Sequence, residues 1–194
     1  DEHAIEFFMR DILIGIAYSI RESIEFGDDF NESFDSINYI SHNINFLNFK
    51  LNDDTIRNSN FLDVNIIEYA PRSFALLRKL DDINIDEMIN SFLPMNNSIC
   101  ISESHGKSGS FFISTDDNRY IIKTLKKDEF DLLINSFIEN YIKHITKHPN
   151  SILCRLYGLY KLTLAQGDEF LIIVMRNVIG DFKENIARRY DVKG

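Results

Sequence analysis

No stretch of this sequence approaches the roughly 18 consecutive apolar residues that cross a bilayer. The apolar run DILIGIAYSI (Asp11 to Ile20) is too short, and its serine and charged flanks suit a core helix. No signal-peptide pattern is present. Cysteine is scarce: Cys100 and Cys154 are the only two, without CxxC spacing and in semi-apolar surroundings. That usage reads as buried free thiols in a reducing compartment, not as a disulfide or a metal site. An excess of positive charge is also missing. The net charge of −9 argues against broad nucleic-acid binding. Internal repeats are absent, and no low-complexity tract exists beyond loops rich in Asn and Asp.

What is there suits one large globular domain: 194 residues, 44% of them hydrophobic. The sequence starts at Asp1 and stops at Gly194 without tail-like composition, so a piece of a longer protein is expected. Charge is unevenly placed. Residues 1–97 carry 18 acidic against 7 basic side chains, a net of −11. Residues 98–194 carry 12 against 14, a net of +2. An anionic ligand would therefore meet the second half.

Hydrophobic period predicts the elements. Residues 4–26 place Ile5, Phe8, Ile12, Ile16 and Ile20 along one helical face, stopped by GDD at 27–29. Residues 30–60 are irregular, with NINFLNFKL (43–51) alternating as a strand and NDDTIRNSN as an exposed loop. Residues 61–93 read as helical. Pro71 marks a first turn that gathers Phe74, Leu77 and Leu80, and Asn84 caps a helix burying Met88, Ile89, Phe92 and Leu93. From Asn97 the character changes to β-rich runs: ICISES, SGSFFIST and RYIIKTL. DEFDLLINSFIENYIKHIT (128–146) is one amphipathic helix with Leu132, Leu133, Phe137, Tyr141 and Ile145 facing the core. HPNS breaks it; ILCRLYGLYKLTL and DEFLIIVMRNVI follow as strands joined by a turn at AQGD, and GDFKENIARRYDVKG is a loop with a short helix or strand. A curled antiparallel sheet with a helix against it is the natural packing.

The stretch GKSGSFFISTDDNRYIIKT (106–124) carries the chemistry. Gly106 and Gly109 bracket Lys107 and Ser108, and such a turn lets backbone N–H groups approach phosphate oxygens. The pattern is neither GxGxxG nor GxxxxGK[ST], so alone it fits a plain hairpin. Lys123 lies in an apolar strand beside Ile121 and Ile122, which alone fits an edge lysine facing solvent. The other reading is a strand lysine that pairs with nucleotide phosphates under a glycine-rich hairpin, with an acidic partner on the next helix. Glu129 is the first candidate partner and Glu139 the second. FLIIVMRN, a strand leaving at Met175-Arg176-Asn177, fits the hinge between two kinase lobes.

Taken in order, these segments resemble the phosphatidylinositol phosphate kinase family. GKSGSFF…DDNRYIIKT resembles its glycine-rich hairpin and lysine strand, KHPNSILCRLYGLYKL its helix-to-strand passage, and IIVMRNVI its hinge. RRYDVKG resembles the signature Arg/Lys-Tyr/Phe-Asp-Leu-Lys-Gly-Ser, cut before the serine. DILIGIAYSI and FLDVNIIEYAPRSFALLRKLDDINIDEM resemble the first helix and the Tyr-Cys-Pro…Phe…Leu-Arg region, so the likeness runs from about Arg10 to Gly194.

The resemblance implies an α+β, protein-kinase-like amino-terminal lobe of the SAICAR synthase-like type, spanning residues 1–194. Residues 1–97 would be its acidic entry segment and 98–194 the hairpin, helix and hinge, with the carboxyl-terminal lobe absent. It implies ATP and Mg²⁺, and phosphorylation of a phosphatidylinositol monophosphate on the cytosolic face of a membrane. Pairing with a second copy is common in the family. By motif, Gly106, Lys107, Ser108, Gly109 and Ser110 form the loop over the phosphates and Lys123 contacts them, with Glu129 as its partner. Asn177 and Ile179 hold the base, while Asp191 and Lys193 lie near phosphates and headgroup. Val192 replaces a leucine and Ala70 a cysteine. Met175 and Ile179 depart from common hinge residues, which leaves adenine or guanine open. The family's catalytic aspartate, in Met-Asp-Tyr-Ser-Leu-Leu, and its metal-binding aspartate are not in these residues, nor is the activation loop that selects the lipid. The expectation is a piece inactive alone, with Mg²⁺ ligands beyond Gly194. A non-catalytic, pseudokinase-like module binding lipid or protein is the alternative. Lys143, His144, Lys147 and His148 form a cationic helix end that suits the helix dipole or, alternatively, anionic lipid.

Overall fold

Burial alternates along VNIIEY: Val64, Ile66 and Glu68 point into the protein and the residues between them are half-buried. A period of two makes this segment a strand. The computed structural model describes residues 2–23, 39–44, 64–93, 100–103, 110–164, 167–180 and 187–188, with the side chains of 2–8, 39–44 and 100–103 excepted. Within them the strands are β1 (Tyr39–Ile44), β2 (Val64–Tyr69), β3 (Cys100–Glu103), β4 (Phe111–Ser114), β5 (Tyr120–Leu125), β6 (Leu156–Leu164) and β7 (Glu169–Arg176). They form one antiparallel sheet in the order β1-β2-β6-β7-β5-β4-β3. The helices are α1 (Glu2–Glu22), α2 (Pro71–Leu80), α3 (Ile85–Phe92), α4 (Lys127–Leu132) and α5 (Ile138–Lys147).

Each face of the sheet carries its own core. Ile12, Ile16 and Ile20 of α1 and Met88, Ile89 and Phe92 of α3 pack with Val64, Ile66, Ile122, Tyr160, Leu162, Ile172 and Val174. Phe74 and Leu77 of α2, Phe130 of α4, and Tyr141, Ile142 and Ile145 of α5 pack with Leu159 and Ile173. The interior strand β6 is buried on both faces from Leu156 to Tyr160. Fully burying one large apolar side chain contributes about 1.5–3 kcal/mol, so these two layers dominate stability.

The structure corrects several sequence expectations. Residues 64–69 are a strand, not helix; the inward Glu68 hides the alternation by placing a carboxylate among apolar side chains. That carboxylate accepts from the hydroxyls of Ser19 (2.8 Å) and Ser23 (2.5 Å), and the Arg78 guanidinium lies 3.9 Å from its other oxygen. The helix expected over 128–146 changes pitch: Leu133–Phe137 forms a π-helical turn, with the Ile138 N–H donating to the Leu133 carbonyl. One wide turn rotates the apolar stripe. Phe137 is consequently exposed, and Ile138 and Ile142 take the buried positions; Leu132, two residues from the buried Phe130 in α4, lies on the opposite side and is exposed without the help of the wide turn. Leu80 is exposed as well. The strand expected from Ile152 begins at Leu156, and Ile152, Leu153 and Cys154 are exposed, so Cys154 is a surface thiol. The strand expected over 43–51 is described only to Ile44, as the end of β1; 45–51 lie outside the described residues.

Candidate functional site

The hairpin of β4 and β5 sets Phe112 opposite Lys123 and Ile113 opposite Ile122. On its other side β5 pairs with β7, so Lys123 faces Ile173 and Tyr120 faces Arg176. Alternation along β5 sends Tyr120 and Ile122 into the α1/α3 core and Lys123 to the opposite face, with Ile121 and Leu125. The chain then turns at Lys126 into α4, whose first turn holds Asp128 and Glu129.

Glu129 closes this corner with both oxygens. One accepts from Lys123 Nζ at 2.9 Å and the other from the Lys126 backbone N–H at 2.9 Å. The Lys126 N–H, followed by the Lys123 ammonium, holds the Glu129 carboxyl below its ordinary value. Lys123 is only 22% exposed. An ammonium has three N–H donors, so one bond to Glu129 leaves capacity for a second anion. Ser110, the residue before β4, is buried.

The end of β7 is fixed by three backbone bonds. Arg176 N–H donates to the Arg155 carbonyl, Asn177 N–H to the Arg119 carbonyl, and Gly180 N–H to the Asn177 carbonyl, at 2.8, 2.8 and 3.2 Å. The Asn177 side chain accepts from the Ile179 N–H at 3.1 Å. Asn177 and Ile179 therefore share one tight turn at the sheet's edge, while Lys123 sits three residues along β5 from the Tyr120–Arg176 pair. Two neighbouring strands thus present a half-buried lysine and a turn with fixed backbone. Gly106, Lys107, Ser108, Gly109, Asp191 and Lys193 lie outside the described residues. Among the described residues no helix is long and apolar enough to cross a membrane, and no group of three or more His, Cys, Asp or Glu is placed to hold a metal ion.

Sequence reasoning gave the polar turn between β4 and β5 no role. Asp117 there accepts from the Thr115 hydroxyl (2.6 Å), the Arg119 N–H (3.1 Å) and the Ser91 hydroxyl of α3. The polar cluster TDDNR between two apolar runs was the available signal.

A model of the family described as phosphatidylinositol-4-phosphate 5-kinase matches residues 95–194. The chain belongs to this family. Phosphatidylinositol 4-phosphate 5-kinase 7 of Arabidopsis thaliana is 35% identical over 127 residues, covering 66% of the chain and 16% of that relative. Phosphatidylinositol 4-phosphate 5-kinase 4 of the same plant is 36% identical over 129 residues, again covering 66% and 16%. Phosphatidylinositol 4-phosphate 5-kinase its3 of Schizosaccharomyces pombe is 32% identical over 134 residues, covering 68% of the chain and 17% of that protein. The chain thus spans under a fifth of the length of these curated relatives. Its antiparallel sheet with flanking helices is the α+β fold of the phosphatidylinositol phosphate kinase family.

Proposed function

We propose that this chain is the amino-terminal lobe of a lipid kinase that moves the γ-phosphoryl group of ATP to the inositol ring of a phosphatidylinositol monophosphate. The observation that carries this reading is the Lys123–Glu129 pair at 2.9 Å, set on the strand beside the Asn177–Gly180 turn in a member of this family. In kinases a strand lysine that contacts the nucleotide phosphates pairs with a glutamate of the following helix, and Lys123 of β5 and Glu129 of α4 stand in that order. Lys123 would hold the phosphates, the residue 106–110 segment would lie above them, and Asn177 and Ile179 would hold the base. ATP would supply the phosphoryl group, and Mg²⁺ would neutralise its charge. Lys123, Asn177 and Ile179 would bind and orient the nucleotide, and none of them is assigned the proton of the inositol hydroxyl. Such an enzyme works at the cytosolic face of a membrane, where its lipid substrate is.

The test is phosphate transfer from labelled ATP to phosphatidylinositol 4-phosphate in vesicles by the full-length protein. Losing one preorganised electrostatic contact of this kind costs about 10²–10³ in kcat. Lys123→Met is expected to lose at least that much while keeping the wild-type circular dichroism, and the 194-residue chain alone is expected to show no turnover. Wild-type turnover by Lys123→Met would refute the reading. So would a full-length wild-type protein that folds, binds vesicles and transfers nothing, which is the outcome a non-catalytic module gives.

A further inference from the structure

The Asn177–Gly180 turn does not stand alone. Its Asn177 N–H ends on the Arg119 carbonyl, and Gly180 lies directly under the Asn118 carbonyl. A Cβ at position 180 would come within 1.9 Å of that oxygen, so the two backbones are in full contact and only glycine fits. Whatever sets the Asn118 and Arg119 carbonyls therefore sets the floor on which residues 177–180 rest.

Asp117 sets them. Its carboxylate accepts from the Arg119 N–H and from the Thr115 hydroxyl, and that hydroxyl oxygen in turn accepts from the Tyr120 N–H at 3.1 Å. The Thr115 N–H closes onto the Tyr120 carbonyl and the Asn118 N–H onto the Thr115 carbonyl, at 3.1 and 2.8 Å. Asn118 takes a left-handed conformation, φ 58°, to complete the turn. The second carboxylate oxygen of Asp117 accepts from Ser91 on α3. Two more ties join α3 to the same turn: Glu87 to Arg119 at 2.7 Å, and Phe92 stacked on Tyr120 at 5.4 Å between ring centroids. Burial works to raise the Asp117 carboxyl, but the hydrogen bonds from Ser91, Thr115 and the Arg119 backbone, with the Arg119 charge, together hold it lowered and ionised. Glu87–Arg119 is exposed on both sides and contributes little. The Ser91–Asp117–Arg119 chain is the directional part.

We propose that Asp117 is a positioning residue for the nucleotide base: it holds the two carbonyls that support residues 177–180 and ties them to α3, so that α3 sets the base-holding turn. The proposal rests on the reading that residues 177–180 hold the base of ATP. Asp117 touches no substrate; it acts through the Arg119 carbonyl on Asn177. α3 belongs to the acidic entry segment, far from the phosphates in sequence, and this contact gives that segment a say in nucleotide affinity.

Steady-state kinetics of the full-length protein on phosphatidylinositol 4-phosphate vesicles test it. Asp117→Ala is expected to raise the KM for ATP about fivefold or more, the scale of one lost hydrogen bond, with kcat and the lipid KM within about twofold. Asp117→Asn keeps an acceptor for Thr115 and Arg119 and is expected to return the ATP KM to within about twofold of wild type. Ser91→Ala, which cuts only the tie to α3, is expected to shift the same constant in the same direction. If Asp117→Ala does not fold, Gly180→Ala displaces the turn from its other side and must show the same split. An unchanged ATP KM in Asp117→Ala, or an equal loss of kcat and both KM values, overturns the proposal. Lys123→Met separates the levels. An inactive Lys123→Met with an unaltered ATP KM in Asp117→Ala sinks only the positioning role, whereas an active Lys123→Met sinks the kinase reading beneath it.

Discussion

Replacing Arg78 by methionine would strip the counter-charge from a carboxylate that has no access to water. Glu68 is 0% exposed and Arg78 2%. The Arg78 Nη1 lies 3.9 Å from Glu68 and donates to the Tyr157 carbonyl at 2.7 Å. Removing one member of a buried ion pair costs about 3–5 kcal/mol. The 3.9 Å separation and the two serine hydroxyls that Glu68 keeps place the cost near the lower bound, about 3 kcal/mol. Removing both charges is a different perturbation. In Glu68→Met/Arg78→Met no charge remains buried, and Ser23 retains its bond to the Ser19 carbonyl at 2.8 Å. Apolar replacement of a whole pair is often neutral, so the double variant should lose only ~1–2 kcal/mol, shared between the Tyr157 carbonyl and the buried Ser19 hydroxyl, which each lose a partner. Amide hydrogen exchange in the full-length protein reads this locally. The amides of Ile66–Tyr69 and Phe74–Leu77 should exchange roughly 150-fold faster in Arg78→Met and about tenfold faster in the double variant. A double variant that exchanges as fast as Arg78→Met, or faster, would refute the reasoning.

The π-helical turn makes a paired expectation: Ile138→Ala should destabilise by about 2–5 kcal/mol, while Phe137→Ala, whose exposed ring gives up its stacking on Tyr141, should lose only about 0.5–1.5, both read as urea midpoints. Similar losses from the two would mean the stripe had not rotated. Asp11 gives a pH dependence. Burial raises its carboxyl to about 7, with Arg10 pulling the other way. The folded state thus holds its proton more tightly than the unfolded chain, whose Asp titrates near the ordinary 3.8. Below 3.8 the group costs nothing; between there and 7 stability falls by up to about 1.4 kcal/mol per pH unit, and above 7 the loss is complete. Asp11→Asn should remove that slope and raise the melting temperature at pH 8, and an unchanged slope would sink the assignment.

The sequence showed those elements whose local preference agrees with their burial. α1 follows its Ile12, Ile16, Ile20 stripe, α2 starts at Pro71, and α3 starts at Asn84, whose side chain accepts from the Glu87 N–H at 3.1 Å. The strand carrying Lys123 and the strand that leads into Asn177 stood out for the same reason, as apolar runs between turn residues. β2 was hidden because its inward Glu68 is satisfied by partners 45 and 49 residues earlier, which no local pattern reveals. The wide turn at Leu133–Phe137 was hidden because a phase slip leaves composition untouched and changes only which residues face inward. At the site, Lys123 and Glu129 were legible from their places on a strand and on the helix after it. Asp117 was not, because its importance comes from which backbone carbonyls its turn presents to residues some 60 positions later in the chain.

The strand order also dictates a sequence of events at synthesis. β1–β2 lies on one flank of the sheet and β3–β4–β5 on the other, and only β6 and β7 join them. Val64 waits for Leu164, and Lys123 for Ile173. A ribosome adding about 5–20 residues per second therefore exposes the two flanks for several seconds before the strands that unite them exist. During that interval Glu68 has no Tyr160 opposite it to seal it from water, so its charge carries no penalty. The emerging flank stays hydrated at the one inward position where a purely apolar strand would be sticky. A buried carboxylate that is expensive in the finished sheet is, in the half-made chain, a safeguard against premature pairing.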